Sequence, residues 1–174
     1  MNVKGSVVLA LMSGLIMNAA GKWAAASGKE TEKAAIAKVI RDSICWALTK
    51  DRALQESTMA HDDDLFIYWT NSDVTVAGWN QYVKLFDTWM DPRFKATVTE
   101  IRDLRINISR SGDVAWFSAI LDDLGEWDGK PVGDRNIRWT GVLEKRKGRW
   151  LFVQMHGSVA KDKVAVQGES TATQ

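Results

Sequence analysis

Cysteine is nearly absent from these 174 residues, with Cys45 standing alone. A single thiol excludes an intramolecular disulfide framework and any zinc site built on several cysteines. Two histidines leave little room for a metal centre built on imidazole. Neither sign of charge dominates: 23 Lys and Arg stand against 22 Asp and Glu, a net charge of +1. That balance excludes a nucleic-acid-binding arm and a polyacidic tail. No apolar run reaches the ~20 residues that a membrane-spanning helix takes. No phosphate-cradling glycine loop and no nucleophile elbow occurs. What the chain has in quantity is tryptophan, nine of them, in a composition that is 45% hydrophobic. The length favours one domain. Each tryptophan can bury about 150–250 Å², so the nine either fill a core or line a cavity.

The first 26 residues read as an address. Lys4 supplies a positive start, Ser6 to Ala20 is an apolar run, and Ala24-Ala25-Ala26 places small residues where a signal peptidase cuts. The expected division is therefore a secretory signal over 1–26, a folded domain over 27–160, and a small polar flexible tail over 161–174. This implies a periplasmic or secreted protein with no stable membrane anchor once the signal is removed. A lone cysteine suits an oxidising compartment, since it has no partner to mispair with.

Within the domain, Ile36, Val39, Ile40, Ile44 and Ala47 or Leu48 recur at helical spacing, predicting a helix from Lys29 to Lys50. Asp51 is placed to cap a second, short helix running to about Met59. Leu65 to Trp69 reads as a strand and Asn71-Ser72-Asp73 as a turn. After Gly78, the residues Trp79, Tyr82, Val83, Phe86 and Trp89 make a third helical stripe that Asp91-Pro92 ends. The period then changes to two. Phe94, Ala96 and Val98 lead toward Ile106 and Ile108. Three more strands follow: Val114–Leu121, Ile137–Lys145 and Trp150–Val159. Ser111-Gly112-Asp113, a longer loop carrying Gly125, Gly129, Pro131 and Gly133, and Lys147-Gly148 separate them. Strands gathered after helices indicate an α+β fold with an antiparallel sheet. Val114–Leu121 is apolar on nearly every position, so both its faces need cover. The helices supply one cover and a second subunit the other.

The closing hairpin, Arg138-Trp139-Thr140-Gly141-Val142-Leu143-Glu144-Lys145 and then Gly148-Arg149-Trp150-Leu151-Phe152-Val153-Gln154-Met155-His156-Gly157-Ser158, resembles that of SnoaL-like domains of the NTF2-like superfamily. Thr140, Val142, Leu143, Gly148, Trp150, Phe152, His156 and Ser158 carry the resemblance, with Gly78 and Gly112-Asp113-Val114-Ala115 in support. It implies an α+β, NTF2-like cone: a strongly curved antiparallel sheet wrapped around a long N-terminal helix. The open end of the cone is a pocket, and the outer sheet face pairs into a homodimer. The superfamily hosts isomerases, cyclases, dehydratases and binding-only members, so the fold does not settle the activity.

Proton abstraction beside a carbonyl needs a carboxylate base and a donor for the developing oxyanion. Asp73 follows the first strand, where isomerase relatives keep their base. Asp122 shares strand parity with Trp116, Ser118 and Ile120, and would sit at the cavity mouth with a raised pKa if that parity faces inward. Its neighbour Asp123 suggests instead a strand end meeting solvent. His156 shares parity with Trp150, Phe152 and Gln154 and is a candidate donor, as is a Trp N–H. The first helix lacks the tyrosine of ketosteroid isomerases. Asp103, Arg138 and Asp122 supply the residue types of an epoxide hydrolase without any sign that they converge. His61-Asp62-Asp63-Asp64 resembles a metal cluster in composition alone and reads as a solvated connection, and Lys145-Arg146-Lys147 as a basic hairpin tip. No cofactor, metal or nucleic acid is called for.

Two expectations follow. The first is an exported pocket protein binding a small apolar or aromatic molecule against Tyr68, Trp69, Trp79, Trp89, Trp116 and Trp139. The second is an enzyme of isomerase, cyclase or dehydratase type, using Asp73 or Asp122 as base and His156 as partner.

Overall fold

The structure, a computed structural model, describes the backbone of residues 7–71 and 75–160, and side chains within these from residue 28 onward. Helix α1 (Val7–Thr49) is continuous and longer than the segment predicted from Lys29. The expected leader, 1–26, lies outside the residues whose side chains are described, and the expected tail, 161–174, outside the described residues altogether. Among the described residues no helix is long and apolar enough to cross a membrane. Helix α2 (Arg52–Glu56) is capped as predicted, with Asp51 accepting from Leu54 N–H at 2.9 Å. Strands β1 (Phe66–Tyr68) and β2 (Thr75–Ala77) form a short hairpin. A helical stretch follows: α3 (Trp79–Tyr82), a tight 3₁₀ turn (Val83–Leu85) and α4 (Phe86–Trp89). Then come the long strands β3 (Phe94–Ile108), β4 (Val114–Trp127), β5 (Lys130–Arg146) and β6 (Arg149–Ser158).

The six strands form one sheet in the order β2-β1-β6-β5-β4-β3, antiparallel except that β1 runs parallel to β6. This is the expected α+β arrangement, a curved sheet against a helix. The curvature has a local cause. The ladders shift register near Thr97 and at Asp103–Leu104 on β3, at Arg135–Asn136 on β5 and at Val153 on β6. Asp103 and Asn136 take positive φ, 52° and 56°. An extra residue on one strand of a pair bends that strand and raises its twist.

Two corrections to the sequence reading concern the sheet. The glycine-rich stretch from Gly125 to Gly133 is not a loop. β4 continues to Trp127, turns through Asp128-Gly129 and returns as β5. Gly133 explains the glycine: at φ 96°, a Cβ there would lie 2.1 Å from the Asp123 carbonyl oxygen. β2 was missed, because three residues are too few to show a period.

Side chains alternate cleanly. On β4, Ala115, Phe117, Ala119 and Leu121 are buried beneath α1, while Trp116 and Ser118 are exposed on the opposite face. On α1, Ile36, Ile40 and Trp46 are buried against that inner face, each aliphatic side chain contributing about 1.5–3 kcal/mol of burial. The register of helix on sheet is set at one end by Glu32, which accepts from Trp150 Nε1 at 2.7 Å and pairs with Lys145 at 2.6 Å. These two donors also hold the Glu32 carboxyl below its ordinary pKa. Trp150, buried and bonded to Glu32, is thus structural.

Candidate functional site

The parity of β4 decides which carboxylate faces inward, and it is Asp123. Asp123 continues the row Phe117, Ala119, Leu121 on the concave face. It pairs across β3 with Thr99 and across β5 with Asp134. Thr70, just past the end of β1, donates to Asp134 Oδ2 at 2.8 Å. Asp123, Asp134 and Thr70, together with Trp69, Asn71, Val132, Gly133 and Ile137, line a cleft of about 300 Å³. Trp69 forms one wall. Its ring lies over Gly157, where a Cβ would meet it at 3.0 Å, so the absent side chain lets the indole sit flat on β6. Removal from water raises the Asp123 carboxyl to about 6, and the Asp134 carboxylate facing it adds to the shift. A carboxyl titrating near 6 both accepts and returns protons near neutral pH.

Asp122, the residue singled out from the sequence, is on the other side of the sheet and does different work. It is buried, but not in a cavity mouth and not at a solvent-facing strand end. It sits opposite the β5 bulge, accepting from Asn136 N–H at 2.8 Å, Arg135 Nη1 at 2.9 Å and Arg102 Nη2 at 2.9 Å. The Asn136 N–H first, then Arg135 and Arg102, hold its pKa below the ordinary value, the reverse of the raised pKa expected at a cavity mouth. Asp122 therefore pins the bulge. Arg138 makes no part of this cluster and Asp103 is exposed on its own bulge, so the Asp-Arg-Asp set does not converge.

His156 is exposed on the convex face, opposite Thr140 on β5 and Tyr68 on β1. Its inward neighbours are Met155 and Gly157. The β6 bulge at Val153 separates its parity from that of Trp150 and Phe152, which the sequence alone could not show. Tyr68 (51% exposed) and Trp116 (47% exposed) also lie on the convex face, away from the cleft. Asp73 lies outside the described residues.

The remaining aromatics mostly pack on one another. Trp89 meets Trp46, Tyr82 and Phe86 edge-on at 5.6 Å each. Trp79 lies between His61, stacked at 3.8 Å, and Tyr82. Burial pushes the Tyr82 phenol up, and it binds Gln55 in the same cluster. Trp139 is enclosed on the concave face by Phe117 and Phe152. Of the six aromatics expected to wall a pocket, Trp69 alone lines the cleft. The His61–Asp64 connection is tied down by Arg146, which bonds Asp62 and, at 2.8 Å, Asp64. The basic hairpin tip is thereby partly neutralised.

Residues 36–162 match the SnoaL-like domain family. No curated protein matches the sequence. Among solved structures, the chain is similar to a provisionally assigned dehydratase of the NTF2-like family from Streptomyces avermitilis, with 13% identity, a TM-score of 0.65, and 77% of this chain covering 99% of that one. It is similar to an NTF2-like protein from Cytophaga hutchinsonii at 16% identity and TM-score 0.59, over 74% of this chain and 98% of the other. It is also similar to a hexachlorocyclohexane dehydrochlorinase at 18% identity and TM-score 0.60, over 80% and 97%. At these identities the likeness is one of fold.

Proposed function

We propose, for a chain that belongs to the SnoaL-like domain family, that the cleft of Trp69, Asp123 and Asp134 binds a small organic molecule and that Asp123 moves a proton on it. The observation that carries this reading is the placement of Asp123: a carboxyl on the concave face, opposite a second carboxyl, in a cleft with a flat indole wall. The volume of about 300 Å³ suits a molecule of one or two rings. Acting as base, the Asp123 carboxylate takes a proton from carbon next to a carbonyl. The C–H bond pair becomes the new C=C bond and the carbonyl π pair moves onto oxygen. Acting as acid, the protonated carboxyl returns the proton elsewhere. Isomerisation of an unsaturated carbonyl compound and loss of a leaving group β to a carbonyl both begin with this step. Two of the similar structures, the dehydrochlorinase and the provisionally assigned dehydratase, are named for eliminations. Export from the cytoplasm and pairing through the convex face belong to the same reading.

Deuterium uptake tests the chemistry without knowledge of the natural substrate. Cyclohexanone and phenylacetone in D₂O are followed by NMR for exchange at the carbons beside the carbonyl. The wild-type protein is expected to exceed the buffer rate, with Asp123→Asn reduced to that rate. Equal exchange by both proteins would overturn the reading and leave the cleft a binding site only.

A further inference from the structure

Asp134 owes its place opposite Asp123 to the β5 bulge. Leu121 pairs with Ile137, so unbroken register would set Arg135 opposite Asp123. The extra residue at Arg135–Asn136 shifts the ladder by one and brings Asp134 there instead. Arg135 goes to the far face, where it binds Asp122 at 2.9 Å. A second carboxyl thus stands where a guanidinium would have been. Two facing carboxyls titrate as a pair, and the first proton goes to the one whose surroundings favour its neutral form.

Two hydroxyls border the pair, and neither serves Asp123. Thr99 stands opposite Asp123 on β3, but its Oγ1 donates to Cys45 Sγ on α1 at 3.4 Å. Thr70, just past β1, donates to Asp134 Oδ2 at 2.8 Å. Trp69, the residue before it, is seated flat on Gly157 of β6 and fixes this end of β1. Among the described residues no hydrogen-bond donor acts on Asp123, and Asp134 is the one charged group that does. The two carboxyls are therefore unequal: one has a donor and the other has only a negative neighbour.

We propose that Thr70 is a positioning residue, whose hydroxyl holds Asp134 as the accepting carboxylate and so leaves Asp123 as the carboxyl that carries the cleft's exchangeable proton. The inference rests on the proposed proton transfer by Asp123 and assigns the roles within the pair. A hydrogen bond donated to a carboxylate favours its ionised form. Asp134 then keeps its charge beside Asp123 and makes Asp123 the better proton carrier, while taking no proton from the substrate itself.

The full chain, labelled with ¹³C at the aspartate carboxyls, is titrated from pH 8 to pH 3 by NMR. Asp123→Asn and Asp134→Asn assign the two signals. In the wild type the Asp123 signal is expected to move through the step near pH 6 and the Asp134 signal to stay out of it. Thr70→Val keeps the shape of the side chain and removes the donor. There the Asp134 signal is expected to enter the same step, its share of the proton rising about tenfold for a lost hydrogen bond to a charged group. Thr70→Ser is expected to restore the wild-type pattern. An Asp134 signal that stays out of the step in Thr70→Val overturns the assignment. Wild-type signals that move together overturn it as well, with no variant needing to fold.

Deuterium uptake into the methyl group of acetophenone, with ethylbenzene as the blank, separates this assignment from the proposed reaction. Exchange by Thr70→Val is expected to fall less steeply than that of the wild type between pH 6 and pH 5, because part of its singly protonated pair has Asp123 ionised. Exchange by both proteins with identical acid limbs overturns the role of Thr70. A wild type no faster than buffer removes the reaction, and the carboxyl titration still decides the assignment of Thr70.

Discussion

Asp123 and Asp134 face each other across β4 and β5 on the concave side of the sheet, a like-charge pair in direct register. Removal of Asp123 from water, and secondarily the Asp134 carboxylate facing it, raise its pKa to about 6 from an ordinary 3.8. The folded state therefore holds a proton that the unfolded chain has released. Between about pH 4 and 6 stability falls as pH rises, and above 6 the penalty is complete. Asp123→Asn should thus raise stability above pH 7 by about 1–2 kcal/mol, allowing for screening in a cleft open to solvent, and should change little at pH 4. Thermal melts of both proteins across that range check it. A variant equally stable or less stable at pH 8 would show that Asp123 is not under strain.

The opposite sign holds for Asp122. Asn136 N–H, Arg135 and Arg102 stabilise its ionised form and lower its pKa. Its contribution is present above the ordinary carboxylate range and is lost as pH falls through the depressed value. Asp122→Asn should lower the melting temperature at pH 7, and the difference from wild type should shrink in acid. Arg135→Ala should cost less, since the Arg135 side chain is largely exposed and two donors to Asp122 remain. Proton-exchange activity should survive both changes, because the clamp sits on the far face of the sheet.

Gly133 sits where β5 closes on β4 beside the cleft. At φ 96°, with the Asp123 carbonyl oxygen 2.1 Å from a would-be Cβ, Gly133→Ala cannot be accommodated by side-chain movement alone. It should destabilise by about 2 kcal/mol or more through forced backbone displacement. The Asp123 pKa should also drift toward its ordinary value as the facing pair separates. Denaturant melts measure the first effect, and carboxyl ¹³C titration the second.

The long helix face, the order of strands and the closing hairpin were legible because they rest on periods sustained over many residues and on strong turn chemistry. The position of the candidate site was not. Asp122 and Asp123 are adjacent, and parity alone could not say which face is concave. The Phe117–Ala119–Leu121 row faces α1, and that fact carries Asp123 inward. His156 was tied to Trp150 and Phe152 by simple alternation, and the single extra residue at Val153 breaks that tie. Bulges are local events with little sequence signature, yet each one moves every later side chain to the other face. The tryptophans misled for a related reason: aromatic weight is the same whether rings meet a ligand or meet each other.

That last distinction is testable with Trp46 and Trp69. Trp46 is buried at the end of α1, with Phe86 at 5.5 Å and Trp89 at 5.6 Å, both edge-on. It faces no part of the cleft. Trp46→Ala leaves a large hole among rings that cannot collapse into it, and should cost about 3–5 kcal/mol. At temperatures where the variant is still folded, its affinity for acetophenone should be close to that of wild type. Trp69 is only partly buried and forms the cleft wall. Trp69→Ala should cost less stability, about 1–3 kcal/mol, yet weaken acetophenone and ethylbenzene alike, because it removes the flat surface both rings rest on. Calorimetric melts paired with titrations of the two compounds separate the roles. If Trp46→Ala abolished binding in the folded protein while Trp69→Ala spared it, the ligand would have to be sought in the α3–α4 cluster instead of the β4–β5 cleft.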